Sequence, residues 1–193
     1  MAVQKADKWK LKKWFTVYAP KLFNEAQICE MPANEDSTVI GRNIRVGLNT
    51  LTKNPAHAYT NVTLRITGVN GEAAQTKLVM IEQLYSYIHS LVRRYRGIAS
   101  SVSSITTKDN VGMVAKMLVV TQTRVAHTKI KGIREETGKF IADYFSSNDA
   151  DSVVNSIIEG KLQGELAAKL RHITPINRVE VKKLEVKQPG AQG

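Results

Sequence analysis

Val62, Leu64 and Ile66 alternate with Thr63, Arg65 and Thr67, and the run leads straight to Asn70-Gly71. Strict alternation marks a strand with one buried face, and Asn-Gly supplies the positive φ that a tight hairpin turn demands. A partner strand follows over about residues 72–78. This hairpin excludes an all-helical fold and requires further strands to complete a sheet around it.

Other segments carry the same period. Ile40, Ile44, Val46 and Leu48 share one parity, with Arg45 opposite and Arg42 as an interruption. Ile98–Thr106 and Val111–Thr121 flank Thr107-Lys108-Asp109-Asn110, a second hairpin whose Asn110 tolerates left-handed backbone. Met117–Val120 is apolar on both parities, as a central strand is. Near the C-terminus, Val179–Val186 changes parity at Lys182-Lys183, which predicts a strand with a β-bulge.

Between these strands the period lengthens. Ile81, Leu84, Ile88, Leu91 and Tyr95 predict an amphipathic helix over 81–95, with Arg93, Arg94 and Arg96 at its end and Gly97 as a left-handed cap. Ile130, Ile133, Phe140, Ile141, Tyr144 and Phe145 form a second helical stripe. Asn148, Asp149 and Asp151 can cap a third helix over Val153–Ile158, and Leu162, Leu166 and Leu170 mark another. Strands, helix, strands, helices and strand in that order predict an α+β fold: an antiparallel, β-barrel-like core with packed α-helices. The expected organisation is a basic aromatic arm over 1–20, a single domain over 21–187 and a flexible tail over 188–193.

A chain of 193 residues can bury this core without covalent staples. Its lone Cys29 forms no internal disulfide and reads as a small buried hydrophobe in an intracellular protein. Leu78–Ile81 and Met117–Val120 are too short to cross a bilayer, and no apolar signal segment follows the lysine-rich start. Cytoplasm is the expected compartment, with no membrane partner.

Enzymatic constellations do not emerge. His57, His89, His127 and His172 make no local metal pair, and neither a phosphate-cradling glycine loop nor a nucleophile elbow is present. Asp149 and Asp151 suit helix capping, while Glu135 suits i±4 pairing with Lys131 or Lys139. No catalytic residue, metal site or cofactor is therefore assigned.

Charge is the stronger signal: 28 Lys and Arg face 17 Asp and Glu, a net +11. The excess falls in four clusters. Lys8, Lys10, Lys12 and Lys13 lie on the arm, Arg93, Arg94 and Arg96 in one box, and Arg124, Lys129, Lys131 and Arg134 in one stretch. Arg171, Arg178, Lys182, Lys183 and Lys187 form the fourth. Lysines on an arm can be merely solvated, and arginines at a helix end can serve its dipole. Four clusters with few compensating acids point instead to phosphate contacts. Trp14, with Trp9 and Tyr18, either stacks on bases or packs the arm onto the core.

Several of these pieces are familiar together. Lys13-Trp14-Phe15-Thr16-Val17-Tyr18-Ala19-Pro20 with Phe23 resembles the N-terminal signature of the archaeal and eukaryotic small-subunit ribosomal S3Ae family, distinct from the bacterial ribosomal protein S1. Gly41-Arg42, Arg93-Arg94-Tyr95-Arg96, Thr106-Thr107-Lys108-Asp109 and Ala126–Arg134 follow in the family's order, so the resemblance spans about residues 8–187. The lack of the eukaryotic members' basic C-terminal extension suggests an archaeal version.

The resemblance implies a barrel core on the small-subunit platform, near the messenger exit and the 3′ end of the small-subunit RNA. It also implies contacts to ribosomal RNA and a neighbouring platform protein, no catalysis, and support of subunit assembly and translation initiation. Carried over residue by residue, it adds Arg42 and Lys108 to the candidates and repeats Lys12, Lys13, Arg93, Arg94, Arg96, Lys131 and Arg134. The alternative function is an RNA-processing or RNA-modifying enzyme that holds its substrate by the same charge.

Overall fold

A computed structural model describes residue 9 and residues 12–187. The chain divides into two compact units, Met1–Val79 and Met80–Gly193.

The first unit begins with β1 (Lys13–Tyr18), β2 (Gln27–Ala33), α1 (Asp36–Val39) and β3 (Asn43–Gly47). It continues through α2 (Leu48–Thr52) and β4 (Thr60–Asn70) into β5 (Ala73–Gln83), which runs past the unit boundary. Along β1 the faces alternate: Phe15 and Val17 are buried while Trp14 is exposed. Residues 13–18 of the expected arm are thus a strand. β1 pairs antiparallel with β2, Lys13 opposite Ala33 and Trp14 opposite Pro32. Proline lacks the N–H for an interior ladder, which suits β2 to the end of the strand order.

A second partner of β1 is β5, and this pairing is parallel, with Thr16 opposite Ala73. The expectation of a purely antiparallel sheet is corrected here. Strand order in the unit is β2-β1-β5-β4-β3. Phe15, Val17, Ala33, Val39, Ile66 and Ala74 form its core, with Cys29 and Met31 packed against them. Burial pushes the Cys29 thiol up, away from the reactive thiolate form.

Gly71 carries the positive φ of the β4–β5 hairpin, 63°. Only this residue does so, and the turn lies over Gly71-Glu72, one position later than the Asn70-Gly71 reading placed it. The expected strand at 38–48 is broken into α1, a turn and β3. Gly41 turns the chain there at φ 86°, and its N–H donates to the Ile66 carbonyl.

The second unit contains the end of β5, then α3 (Tyr85–Leu91), β6 (Ile98–Thr106), β7 (Gly112–Thr121) and α4 (His127–Ser147). α5 (Ala150–Ile158), α6 (Lys161–Leu170) and β8 (Ile176–Lys187) complete it. Strand order is β5-β8-β7-β6. β7 is paired along both edges, and both its faces are buried from Met117 to Val120: Leu118 and Val120 pack with Ile88 of α3, and Met117 and Val119 are buried on the opposite face. Lys116 faces Lys183 and Met117 faces Val181, so Lys182 is the extra residue of the expected bulge. α4 packs along β6 and α6 along β8. Ile133, Thr137, Ile141 and Phe145 are the buried stripe of α4, and the Thr137 hydroxyl donates to the Ile133 carbonyl at 2.7 Å.

The helix expected over 81–95 shrinks to Tyr85–Leu91. Met80, Ile81 and Glu82 pair with Glu185, Leu184 and Lys183 of β8, so distant strand pairing overrides the local helical period. Gly97 is no helix cap. Its N–H donates to Thr121 Oγ1 at 2.9 Å, and a Cβ there would stand 2.7 Å from that oxygen. Close approach, rather than positive φ, requires this glycine.

Neither strand order closes on itself among the described residues. The fold is mixed, with helices packed on a largely antiparallel sheet, as the α+β reading requires.

Candidate nucleic-acid interface

In the first unit, three candidate cations and one aromatic are described. Lys12 sets its Nζ 4.0 Å from the centroid of the Trp9 ring, a cation–π contact. Lys13 and Trp14 are exposed, Trp14 at 55%. Packing of the arm falls to Phe15 and Phe23, both buried, which leaves the Trp14 ring open to solvent. Arg42 is exposed in the connection from α1 to β3, its carbonyl accepting from the Ile66 N–H at 3.0 Å and its Nη1 3.3 Å from the Met31 sulfur. The backbone clamp fixes where the guanidinium emerges. Lys8 and Lys10 lie outside the described residues.

The second unit gathers most of the rest. Arg93-Arg94-Tyr95-Arg96 is a turn between α3 and β6, beyond the helix end rather than within its last turn. Arg93 Nε reaches the Ser90 carbonyl at 3.5 Å, so only this arginine touches the end of α3. Arg93 and Arg94 are exposed and Arg96 is half-buried. Arg96 and Arg124, from separate segments, line one cleft of about 690 Å³, together with Ala126 and His127 at the start of α4. Among the described residues, no acidic side chain lines it. α4 has no acid in its first turn and no side-chain cap, so the positive end of its dipole adds to the same field.

Lys129, Lys131 and Arg134 are exposed on α4, and Lys131 pairs loosely with Glu135 at 3.9 Å. Lys108 is exposed in the β6–β7 turn, but its N–H donates to the Asn148 carbonyl just beyond the other end of α4. A helix of 21 residues spans about 30 Å, so Lys108 is separated from the Arg96–Arg124 cleft by that length. The same turn provides Asp109, whose Oδ2 accepts from the Ala150 N–H at 3.1 Å. That carboxylate, not the expected side chain of Asp149, caps α5.

The C-terminal cluster is different in kind. Arg178 donates to Glu180 at 2.7 Å, and Glu180, only 7% exposed, also accepts from Gln83 at 2.6 Å and Tyr87 at 2.8 Å. The hydrogen bond to Glu180 holds the Arg178 guanidinium above its ordinary pKa. Lys183 and Lys116 share Glu185 at 2.6 and 3.5 Å. Two of the five cations of this cluster, Arg178 and Lys183, are thus compensated within β8.

Glu185 carries a pH consequence. The hydrogen bond from Lys183, with both lysine charges beside it, holds its carboxyl below the ordinary 4.5. A carboxylate depressed in the folded state contributes stability above its unfolded pKa and loses it as pH falls through the folded value. Urea midpoints of wild type and Glu185→Gln are therefore expected to differ at neutral pH and to converge as pH falls through the depressed folded value, where the wild-type carboxyl takes up its proton. A gap that stays constant across that window would contradict the assignment.

Among the described residues, no three His, Cys, Asp or Glu side chains converge in a way that could hold a metal ion. His172 lies 3.2 Å from Glu136 and His89 packs against Tyr85. No described helix is long and apolar enough to cross a membrane. His127 joins the cleft without any mark in the sequence, because its place depends on where α4 starts. Tyr95, expected on the apolar stripe of the 81–95 helix, lies beyond the helix with its ring exposed.

Fold and surface thus define a basic α+β protein whose uncompensated cations lie on turns and along one helix, the class of surface that meets polyanions. A sequence model of the Ribosomal S3Ae family matches residues 2–189. The chain belongs to that family, as the motif order suggested. It is 32% identical to the small ribosomal subunit protein eS1 of Pyrobaculum neutrophilum, over 96% of this chain and 84% of the relative. Against the protein of the same name from Sulfurisphaera tokodaii it is 32% identical over 93% of each chain. Archaeoglobus fulgidus has another relative so named, 31% identical over 96% of this chain and 89% of its own length.

Proposed function

We propose that this chain is a non-enzymatic structural constituent of the small ribosomal subunit in the cytoplasm of an archaeon, bound to ribosomal RNA through phosphate and shape. The observation that carries this reading is the family match over residues 2–189, joined by relatives named as small-subunit proteins over nearly the whole chain. The exposed cations of the 93–96 turn, Arg124 and α4 supply the phosphate contacts, with Lys12, Lys13, Trp14, Arg42 and Lys108 as further points of attachment. Lys8 and Lys10 add charge to the basic N-terminal segment.

The family resemblance supports a position on the platform near the messenger exit, beside a neighbouring platform protein, and a part in subunit assembly and translation initiation. It also favours reading the strands of the first unit as a barrel-like element. Neither the geometry nor the relatives favour an RNA-modifying enzyme.

The test is sedimentation of tagged chain from a lysate of its own cells. Co-migration with small subunits that persists at moderate salt is expected, and recovery only in the free fraction would refute the reading.

A further inference from the structure

Tyr95 is the most exposed of the large apolar side chains among the described residues, at 82%. Its backbone is left-handed, φ 64°. A bulky side chain is rare there, since glycine or asparagine makes the same turn at lower cost. The turn between α3 and β6 therefore needs the backbone conformation but does not need this ring. Among the described residues the ring has no hydrogen bond and no aromatic partner. It stands between Arg94, exposed, and Arg96, which lines the cleft shared with Arg124 and His127. Ile98, Val125 and Ile130 give that cleft an apolar component beside its cations.

We propose that the 93–97 turn and the cleft beside it bind an unpaired nucleotide of RNA, with Tyr95 stacking on a base while Arg96 and Arg124 hold the adjacent phosphate. This rests on the RNA-binding reading above and adds a preference that phosphate contacts cannot provide. Bases inside a duplex are stacked on one another and offer no free face to a tyrosine, whereas bases in loops, bulges and ends do. The about 690 Å³ of the cleft lies within the range of small-ligand sites. An exposed aromatic flanked by arginines combines the stacking platform and positive track that single-strand binders use.

The experiment measures binding of the full chain to two labelled probes, a single-stranded oligoadenylate and a blunt-ended RNA duplex, by fluorescence anisotropy at fixed salt. Tyr95→Ala is expected to weaken oligoadenylate binding by roughly 5- to 150-fold, the range for losing one stacked base. Duplex binding should change less than about twofold, because phosphate contacts dominate it. Tyr95→Phe should keep the preference, since the π-face remains. Tyr95→Gly should lose it while melting no lower than wild type, which separates loss of the ring from loss of the fold. Arg124→Ala should reduce the oligoadenylate salt slope by about 0.7.

Unchanged oligoadenylate binding in Tyr95→Ala, or an equal loss on both probes, would overturn the proposal. Failure of wild type to bind either probe would overturn the RNA-binding reading itself, and the proposal with it.

Discussion

Replacing Arg93, Arg94 and Arg96 together by alanine is expected to flatten the salt dependence of RNA binding by about 2–3 units, at ~0.7–0.9 for each phosphate that is no longer neutralised. The turn carrying them lies outside regular structure, and no described acid forms an ion pair with any of the three. Their positive charge is therefore available to an external anion. Stability should shift little, on the order of 0.5 kcal/mol for each of the exposed Arg93 and Arg94, with a somewhat larger share from the half-buried Arg96. Arg93 alone has a competing local role through the Ser90 carbonyl, so Arg93→Ala should account for no more than about one unit of the slope. A triple variant with the wild-type slope would show that these arginines do not touch phosphate. RNA titrations at several salt concentrations read both outcomes.

The second large effect concerns stability. Phe15→Ala is expected to cost about 3–5 kcal/mol, the range for removing a buried phenylalanine. The ring is 1% exposed and belongs to the core formed by Val17, Ala33, Val39, Ile66 and Ala74. Those residues come from β1, β2, α1, β4 and β5, so one cavity loosens most elements of the first unit. At about 2–4 °C per kcal/mol for a chain of this size, the melting temperature should fall by roughly 6–20 °C. Trp14→Ala, one position earlier and on the opposite face of β1, should melt within a few degrees of wild type but bind RNA more weakly. The paired result separates residues that hold the strand from residues the strand presents. Equal destabilisation by both would place Trp14 in the packing of the arm.

Much of the sheet was legible because its signals are local. Alternation at Val62–Ile66, the Thr107–Asn110 turn and the parity change at Lys182 each depend on a few adjacent residues. The structure places a strand, a hairpin and a bulge at those positions. What was not legible depends on partners far along the chain. Ile81 fits a helical stripe by its own neighbours, but it pairs with Leu184 and stays extended. The parallel pairing of β1 with β5 joins residues 16 and 73 and leaves no mark in either sequence. Asp109 caps α5 across 41 positions, and the sequence offered the adjacent Asp149 instead.

The interface divides along the same line. Charge clusters could be counted, yet their status depended on which acids folding brought beside them. Arg178 and Lys183 acquire partners from within their own strand and serve the sheet. Arg96 and Arg124 come from separate segments to a common cleft that no acid among the described residues lines. The sequence showed both as equal clusters; the extended backbone of β8, which sets side chains at i and i+2 on one face, and the meeting of two separate segments at the cleft told them apart.

On the reading proposed above, these uncompensated cations meet ribosomal RNA inside the small subunit. Ultraviolet crosslinking of intact small subunits, followed by mass spectrometry of this chain's peptides, locates those contacts. RNA crosslinks are expected within residues 93–96 and 124–134, with few on the acid-paired strand around 178–185. A chain that co-migrates with the subunit but crosslinks to RNA only outside those segments would contradict the account.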